Sequence, residues 1–288
     1  MYVIAGVTGK TGSTAADALL AAKQPVRVIV RDAHKGEPWK AKGAEVAIAS
    51  LDDRAALARA LTGATGAYLL LPPSGWTDTN IAADRAKYAE AIVGAVRDAK
   101  PGHVVLLSSV GADLPSGTGP IQYVHPIEEG LRASGVPTTL LRCAFFMENW
   151  GASIPGALES GTLYYGIRGD LRFPQVATED IGKTAARLLV EGAPRGTRVV
   201  QLAGPAELTL AETAATLGKV AGKPIQAVSV PTSATIDSLV GMGASRELAA
   251  LYGEMMDAFN DGRARWQSDD LVRGTTTLEQ KLRQLTAR

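Results

Sequence analysis

Six short, nearly unbroken apolar runs separated by longer amphipathic stretches constrain this chain more than any other feature. The runs cover residues 2–5, 26–30, 44–48, 67–71, 103–107 and 138–141. Several lack polar alternation, as strands covered on both faces do. Helical stretches fall between them at 11–22, 53–61, 79–99 and 121–134. Strand and helix in alternation predict a doubly wound, mostly parallel α/β sheet, because parallel neighbours need a crossover element. The punctuation agrees. Asp52 or Asp53 stands where a helix needs an N-cap, Gly63 follows that helix, and Gly135-Val136-Pro137 ends one helix and opens the next strand.

The turn between the first strand and first helix reads Gly6-Val7-Thr8-Gly9-Lys10-Thr11-Gly12. Glycine there permits a tight turn, a close backbone approach to a pyrophosphate and tight helix–strand packing, while the helix start attracts the anion. Gly9-Lys10-Thr11 looks like the end of a triphosphate-binding loop, but the first glycine of that pattern would fall at Ile4. The turn therefore predicts a dinucleotide held by Gly6, Thr8, Gly9, Lys10, Thr11 and Gly12, in a Rossmann-type domain. Its Gly-x-x-Gly-x-x-Gly spacing resembles the short-chain dehydrogenase/reductase superfamily, especially the extended and atypical branches.

The tip of the second strand selects the dinucleotide. An acid there bonds a ribose 2′-hydroxyl, whereas a 2′-phosphate wants a cation. This strand ends Val30-Arg31-Asp32, with Lys35 shortly after. Arg31 and Lys35 favour NADP over NAD; Asp32 either caps the next turn or faces the ribose. Leu71, Pro72 and Pro73 after the fourth strand, and Ser108 and Ser109 at the end of the fifth, are further expected contacts, since ligands bind at the carboxyl ends of strands in open α/β sheets.

Beyond Arg142 the regularity loosens. Residues 143–172 mix glycine, proline and aromatic residues and read as loops and short helices. A strand near 173–177, a helix near 179–191 and a strand at 198–202 follow, then helices at 210–221, 245–259 and 278–285 with a strand at 226–230. The expected division is a dinucleotide-binding domain over 1–150 and a smaller C-terminal α/β substrate lobe over 151–288 that partly returns strands to the sheet.

Proton-transferring short-chain dehydrogenases pair a serine with Tyr-x-x-x-Lys, the lysine lowering the tyrosine pKa. Ser109 fits the serine position, but Tyr123 is followed four residues on by Ile127, and no lysine lies between Lys100 and Lys183. In that place stand Tyr123-Val124-His125-Pro126-Ile127-Glu128-Glu129, then Ser134-Gly135, Leu141-Arg142 and Phe145-Phe146-Met147-Glu148-Asn149-Trp150. This run strongly resembles the NmrA-like atypical short-chain dehydrogenase/reductase family, including its NAD(P)H:quinone oxidoreductase type 2 members. The resemblance extends to Val176–Gly182 and Thr275–Leu278, nearly the whole chain. It implies either a reductase of quinones and other small molecules or an NADP-binding redox sensor that regulates a partner without turnover. Where the enzymes keep a helix lysine, this chain has Val124 or His125.

His125, as an imidazole, either donates a proton to a reduced substrate or merely opens its helix. Tyr123 either points into the site or forms its wall. Phe145, Phe146, Met147 and Trp150 offer a flat apolar wall for a planar ring, two of the four being expected to touch ligand. Glu148 and Asn149 read as a structural pair, Glu128 and Glu129 as acids at a helix start or on a solvated face, and Glu179 and Asp180 as caps.

Composition removes other functions. The 288 residues hold 30 Lys+Arg against 29 Asp+Glu, evenly scattered, so no basic stripe suits direct nucleic-acid binding. The single cysteine, Cys143, reads as a buried thiol in a reducing compartment. His34, His103 and His125 lack metal-ligand spacing, so no metal is expected. Without a membrane span or signal segment, the chain reads as soluble and cytoplasmic. The expected substrate is a planar, apolar small molecule taken by an NADPH-dependent reductase; the sensor reading implies a protein partner or a homodimer. A nucleotide-sugar epimerase is disfavoured by the missing Tyr-x-x-x-Lys.

Overall fold

The six apolar runs pair in parallel, and alternate residues within them enter opposite layers. The computed structural model describes residues 1–265 and 270–287. Strands β1 (Tyr2–Ile4), β2 (Val26–Val30), β3 (Glu45–Ile48), β4 (Gly66–Leu70), β5 (Val104–Ser109) and β6 (Thr138–Cys143) alternate with helices α1 (Lys10–Ala21), α2 (Ala33–Ala41), α3 (Arg54–Leu61), α4 (Ile81–Ala99) and α5 (His125–Arg132). In β5, Val105 packs into one core with α1, while Val104 and Leu106 pack into another with Leu57 and Leu61 of α3 and Ile92 and Val96 of α4. Burial on both faces is why β4, β5 and β6 lack polar alternation, whereas the edge strand β3 has no buried residue.

The C-terminal half contributes β7 (Phe145–Phe146), α6 (Ile154–Ser160), β8 (Thr162–Tyr165), β9 (Phe173–Val176), α7 (Thr178–Glu191), β10 (Thr197–Ala203), β11 (Glu207–Leu208), α8 (Leu210–Ala221), β12 (Gln226–Ser229), α9 (Thr232–Gly241), α10 (Arg246–Asn260), β13 (Leu271–Arg273) and α11 (Leu278–Thr286). Strands β10 and β13 join the main sheet, whose order is β13-β10-β6-β5-β4-β1-β2-β3 with every pair parallel. The strand order reverses between β1 and β4, the place where such sheets bind ligands. The other C-terminal strands form two small sheets, β11-β9-β7 and β12-β8, around a third core that includes Trp150, Phe173 and Leu210.

Three helical regions depart from the sequence expectation. α2 carries Gly36 and Pro38 in its interior and shows no amphipathic stripe, yet Asp32 caps it by accepting from the His34 N–H at 2.9 Å and Trp39 anchors it in the core. α9 has no buried residue at all. The helix expected over 121–134 divides into a 3-10 turn (Gly119–Tyr123) and α5. α7 lies so close to α1 that a Cβ at Gly182 would meet the Thr11 carbonyl oxygen and Thr14 Cβ, each at 2.5 Å. Among the described residues no helix is long and apolar enough to cross a membrane.

Candidate active site

The three glycines of the β1–α1 turn have different reasons to be glycine. Gly6 has φ +68°, and a Cβ there would come within 2.5 Å of Leu70 Cδ2. At Gly12 a Cβ would lie 2.4 Å from the Ala5 carbonyl oxygen, so α1 could not start against β1. Gly9 is different: its backbone is extended, and a Cβ would meet only the Gly6 oxygen, at an ordinary 3.4 Å. The fold itself leaves room for a side chain at Gly9. The first turn of α1 has neither a side-chain cap nor an acidic residue, so its free N–H groups and dipole face outward unanswered by protein anions. Thr8 and Lys10 are exposed on this turn, while Thr11 is buried.

At the tip of β2, Arg31 and Lys35 are both exposed, and neither is in an ion pair among the described residues. Asp32 is committed to capping α2. After β4, Leu71 and Pro72 are half-buried and Pro73 is exposed, with the Pro72 carbonyl pinned by the buried Arg85 guanidinium, which also pairs with Asp84.

Ser108 corrects one expectation. Its side chain is buried and its hydroxyl donates to Glu128 Oε1 at 2.5 Å, so it is not free to contact a cofactor. Glu128 is likewise no solvated acid. It is fully buried and takes two bonds from Arg142, Nε at 3.0 Å and Nη2 at 2.5 Å, because burying that carboxylate requires a partnered cation. Arg142 reaches on to Asp113 at 3.5 Å. This network ties the ends of β5 and β6 to α5.

His125 opens α5 with its Nδ1 2.9 Å from the Ala112 carbonyl oxygen. A carbonyl can only accept, so Nδ1 carries a hydrogen and Nε2 is the atom left for a ligand. Ser109 is half-buried and donates to the neighbouring Val110 carbonyl at 3.1 Å. Tyr123 is half-buried in the 3-10 turn, and burial with the carboxylates of Glu247 and Glu254 pushes its phenol above the usual tyrosine range. Those acids act in the opposite sense to an activating lysine, so the phenol stays protonated and is no base.

The aromatic segment after β6 corrects a second expectation. Phe145, Met147 and Trp150 are buried in the third core and are not among the residues lining the cavity beside α9 and α10. Trp150 donates from Nε1 to Gln175 Oε1 at 2.8 Å and packs against Phe145, Tyr165 and Phe173 at centroid distances of 5.3, 4.6 and 6.4 Å. Phe146 is half-buried against the sheet's core. Strand β7 pairs with β9, and that pairing turns these rings inward. Glu148 joins this support: Thr178 donates to it from N–H and Oγ1, and buried Lys281 pairs with it at 3.0 Å. Burial would raise the Glu148 carboxyl, but the Thr178 and Lys281 hydrogen bonds hold it below the usual carboxylate range. Cys143 is fully buried, and burial pushes its thiol up, away from reactivity.

The apolar space lies farther out. A cavity of about 940 Å³ opens between α6, β8, α9 and α10, with Trp76 from the loop after β4 and Asn149 from the turn after β7 at its sheet side. Tyr164, Tyr165, Tyr252 and Met255 contribute to its walls. Sequence reasoning missed these residues. An aromatic flanked by Ser74-Gly75 and Thr77 in an exposed loop was the available signal for Trp76, and Tyr164-Tyr165 gave no sign of which ring faces outward.

Residues 2–282 match the model of the NmrA-like family. The chain is similar to quinone oxidoreductase 2 of Escherichia coli, 29% identical over 268 residues covering 89% of this chain and 90% of that one. It is also similar to NAD(P)H azoreductase of Xenophilus azovorans, 26% identical over 88% of this chain and 86% of that one. Among solved structures, an NADPH-dependent quinone oxidoreductase from E. coli complexed with NADPH superimposes with a TM-score of 0.85 at 28% identity, covering 99% of this chain and 100% of that chain. Triphenylmethane reductase of Citrobacter sp., complexed with NADP(H), shares the fold with a TM-score of 0.84 at 23% identity, over 99% of this chain and 100% of that one.

Proposed function

The chain belongs to the NmrA-like family, and from that premise we propose that it is an NADPH-dependent reductase of quinones or similar planar acceptors. The observation that carries this reading is the cradle at Gly9: a position kept free of a side chain that the fold would tolerate, at a helix start with no anion of its own. Likeness to an NADPH-dependent quinone oxidoreductase across the whole chain supports the same assignment.

Gly6, Thr8, Gly9, Lys10, Thr11 and Gly12 hold the pyrophosphate, through backbone N–H groups and the exposed Lys10 ammonium. Arg31, with Lys35 in the first turn of α2, takes the 2′-phosphate, and among the described residues neither side chain is in a competing ion pair. The backbone at Leu71, Pro72 and Pro73 borders the nicotinamide side, with Arg85 holding the Pro72 peptide in place. NADPH, when bound, supplies a hydride. The chain's own residues align the acceptor, exclude water and deliver a proton to the product oxygen. His125 would make that delivery from Nε2 as the imidazolium, its Nδ1–H donating to the Ala112 carbonyl; Ser109 lies at the end of β5. Quinone reduction needs mainly alignment and an apolar surround, because the cofactor carries the chemistry. Loss of Tyr-x-x-x-Lys is tolerable on that route.

The competing reading, an NADP-binding sensor without turnover, draws support from Tyr123, whose neighbours are acids rather than a lysine. Mixing the protein with NADPH and a panel of quinones, while following reduced-nicotinamide absorbance, decides between them. The reductase oxidises NADPH with at least one quinone, and Gly9→Asp abolishes this. If NADPH quenches tryptophan fluorescence while no acceptor is reduced, the sensor reading stands. Arg31→Ala weakens NADPH but not NADH binding; equal affinities unaffected by the substitution would refute the NADP preference.

A further inference from the structure

The cavity beside the sheet edge is larger than a one- or two-ring acceptor requires, and its outer part has a composition of its own. At about 940 Å³ it lies near the upper end of small-molecule pockets. Its lining takes Trp76 from the loop after β4 and Asn149 from the turn after β7, and the rest comes mainly from α6, β8, α9 and α10. Seven large hydrophobic side chains are conspicuously exposed among the described residues, and three line this cavity: Trp76 at 43%, Met242 at 53% and Tyr164 at 55%. They come from three separate segments of the chain, so their convergence is a property of the fold and marks an apolar ligand groove.

Helix α9 points the same way. None of its ten residues is buried. Ile236 packs on α10 at Gly253, where a Cβ would approach it to 2.8 Å, and Thr232 bonds Asp257. The spacing of Thr235 with Leu239, and of Ser238 with Met242, places another stripe of the helix along the cavity. Thr235 packs on Gly166 and Leu239 is half-buried, while Ser238 and Met242 of that stripe stay exposed. Charge narrows the occupant. The charged residues lining the cavity are Glu148 and Glu159, with no lining cation among the described residues, and Glu148 is already satisfied by Lys281. An anionic substituent would enter unpaired, which is costly in apolar surroundings. Flexible Met242, Met255 and Met256 beside Leu239 suit a chain that itself has many conformers.

We propose that the preferred acceptor carries a flexible, uncharged apolar chain of several carbons, which lies in the groove between β8 and α9 and packs beneath Leu239 and Met242. This rests on the reductase reading and extends it from the reacting ring to the substituent. The test compares menadione with its 3-decyl homologue, which share one ring and differ in the chain, in two measurements. Initial rates with NADPH give kcat/KM, and amide hydrogen exchange over residues 232–241 reports on α9.

Since one fully buried methylene is worth about fourfold in affinity, a partly enclosed chain is expected to raise kcat/KM by about tenfold or more, chiefly through KM. The decyl homologue, but not menadione, is expected to slow exchange in α9 several-fold. Leu239→Asn with Met242→Asn alters exposed or half-exposed positions, so folding is not at stake, and is expected to collapse the ratio between the two quinones towards one. Equal kcat/KM and equal exchange would overturn the chain-binding groove while leaving the reductase reading intact. If neither quinone oxidises NADPH, the reductase reading fails, and the exchange measurement still decides whether the groove takes the chain.

Discussion

At the scale of single residues, the β1–α1 turn separates glycines that the fold needs from one that it does not. Gly12→Ala would place a methyl group 2.4 Å from the Ala5 carbonyl oxygen and push α1 away from β1. We expect it to lower the urea-unfolding free energy by about 2 kcal/mol, the usual cost of overpacking. Gly9→Ala meets nothing closer than 3.4 Å and should unfold at the parent's midpoint, while NADPH affinity, read by fluorescence titration, falls about tenfold or more. Equal destabilisation by both, with no selective loss of binding at Gly9, would contradict the assignment. His103 carries a different prediction. It is buried just before β5, with Nε2 2.9 Å from Thr139 Oγ1, and burial lowers its pKa from the ordinary 6.5 to about 4. The unfolded chain takes up this proton first as pH falls, so the stabilisation is complete above pH 6.5 and is lost between there and pH 4, by about 3 kcal/mol. Urea unfolding across that interval should show the slope, and His103→Gln should flatten it.

At the scale of elements, legibility followed burial. Strands covered on both faces write themselves as apolar runs, and helices such as α3 and α8, each with one buried stripe, write themselves as amphipathic repeats. Accordingly β1, β2, β4 to β6, α1, α3, α4 and α7 stood in the sequence within a few residues of their observed bounds, and so did the edge strand β3, which has no buried residue. α2 and α9 did not, for two physical reasons. α2 is held by its Asp32 cap and by Trp39 rather than by a repeating stripe, and α9 buries nothing. The site divides in the same way. The placement of the glycine turn between β1 and α1 and the exposure of Arg31 and Lys35 after β2 were legible because backbone geometry and charge are local properties. The aromatic segment after β6 was misread because a ring's direction depends on pairing with β9, thirty residues downstream, which composition does not encode. Glu128 does stand in the first turn of its helix, but the solvated-face alternative fails for a related reason: its burial is set by Arg142 and Ser108 on two other elements.

At the scale of the whole molecule, the two halves of the chain share the main sheet through β10 and β13 and pack α7 on α1, and beside the cavity Glu247 adds a further fastening between α10 and the start of α4. α4 begins at Asn80, whose backbone is left-handed with φ +61° and whose side chain caps nothing. The helix's first donors are answered from across the interface: the N–H groups of Asn80 and Ile81 each donate to the Glu247 carboxylate at 2.8 Å. Beside it the Ser245 N–H donates to the Trp76 carbonyl at 2.9 Å, and Trp76 Nε1 donates to the Met242 carbonyl at 3.1 Å. One α10 side chain thus serves as the N-cap of α4 and holds the loop that runs from Pro72, beside the proposed nicotinamide position, to Trp76 at the cavity. Glu247→Ala is expected to lower stability by about 1 kcal/mol, the usual cost of a lost cap, and to speed amide exchange over residues 72–81 about fivefold. KM for the acceptor should rise with the loosened loop. Glu247→Gln, whose amide oxygen can accept from one of the two N–H groups, should fall between the parent and the alanine variant. Unchanged exchange at 72–81 in Glu247→Ala would show instead that the Trp76 contacts hold the loop without the carboxylate. In that case Trp76→Ala, which removes the indole donor to Met242, becomes the substitution that frees the loop.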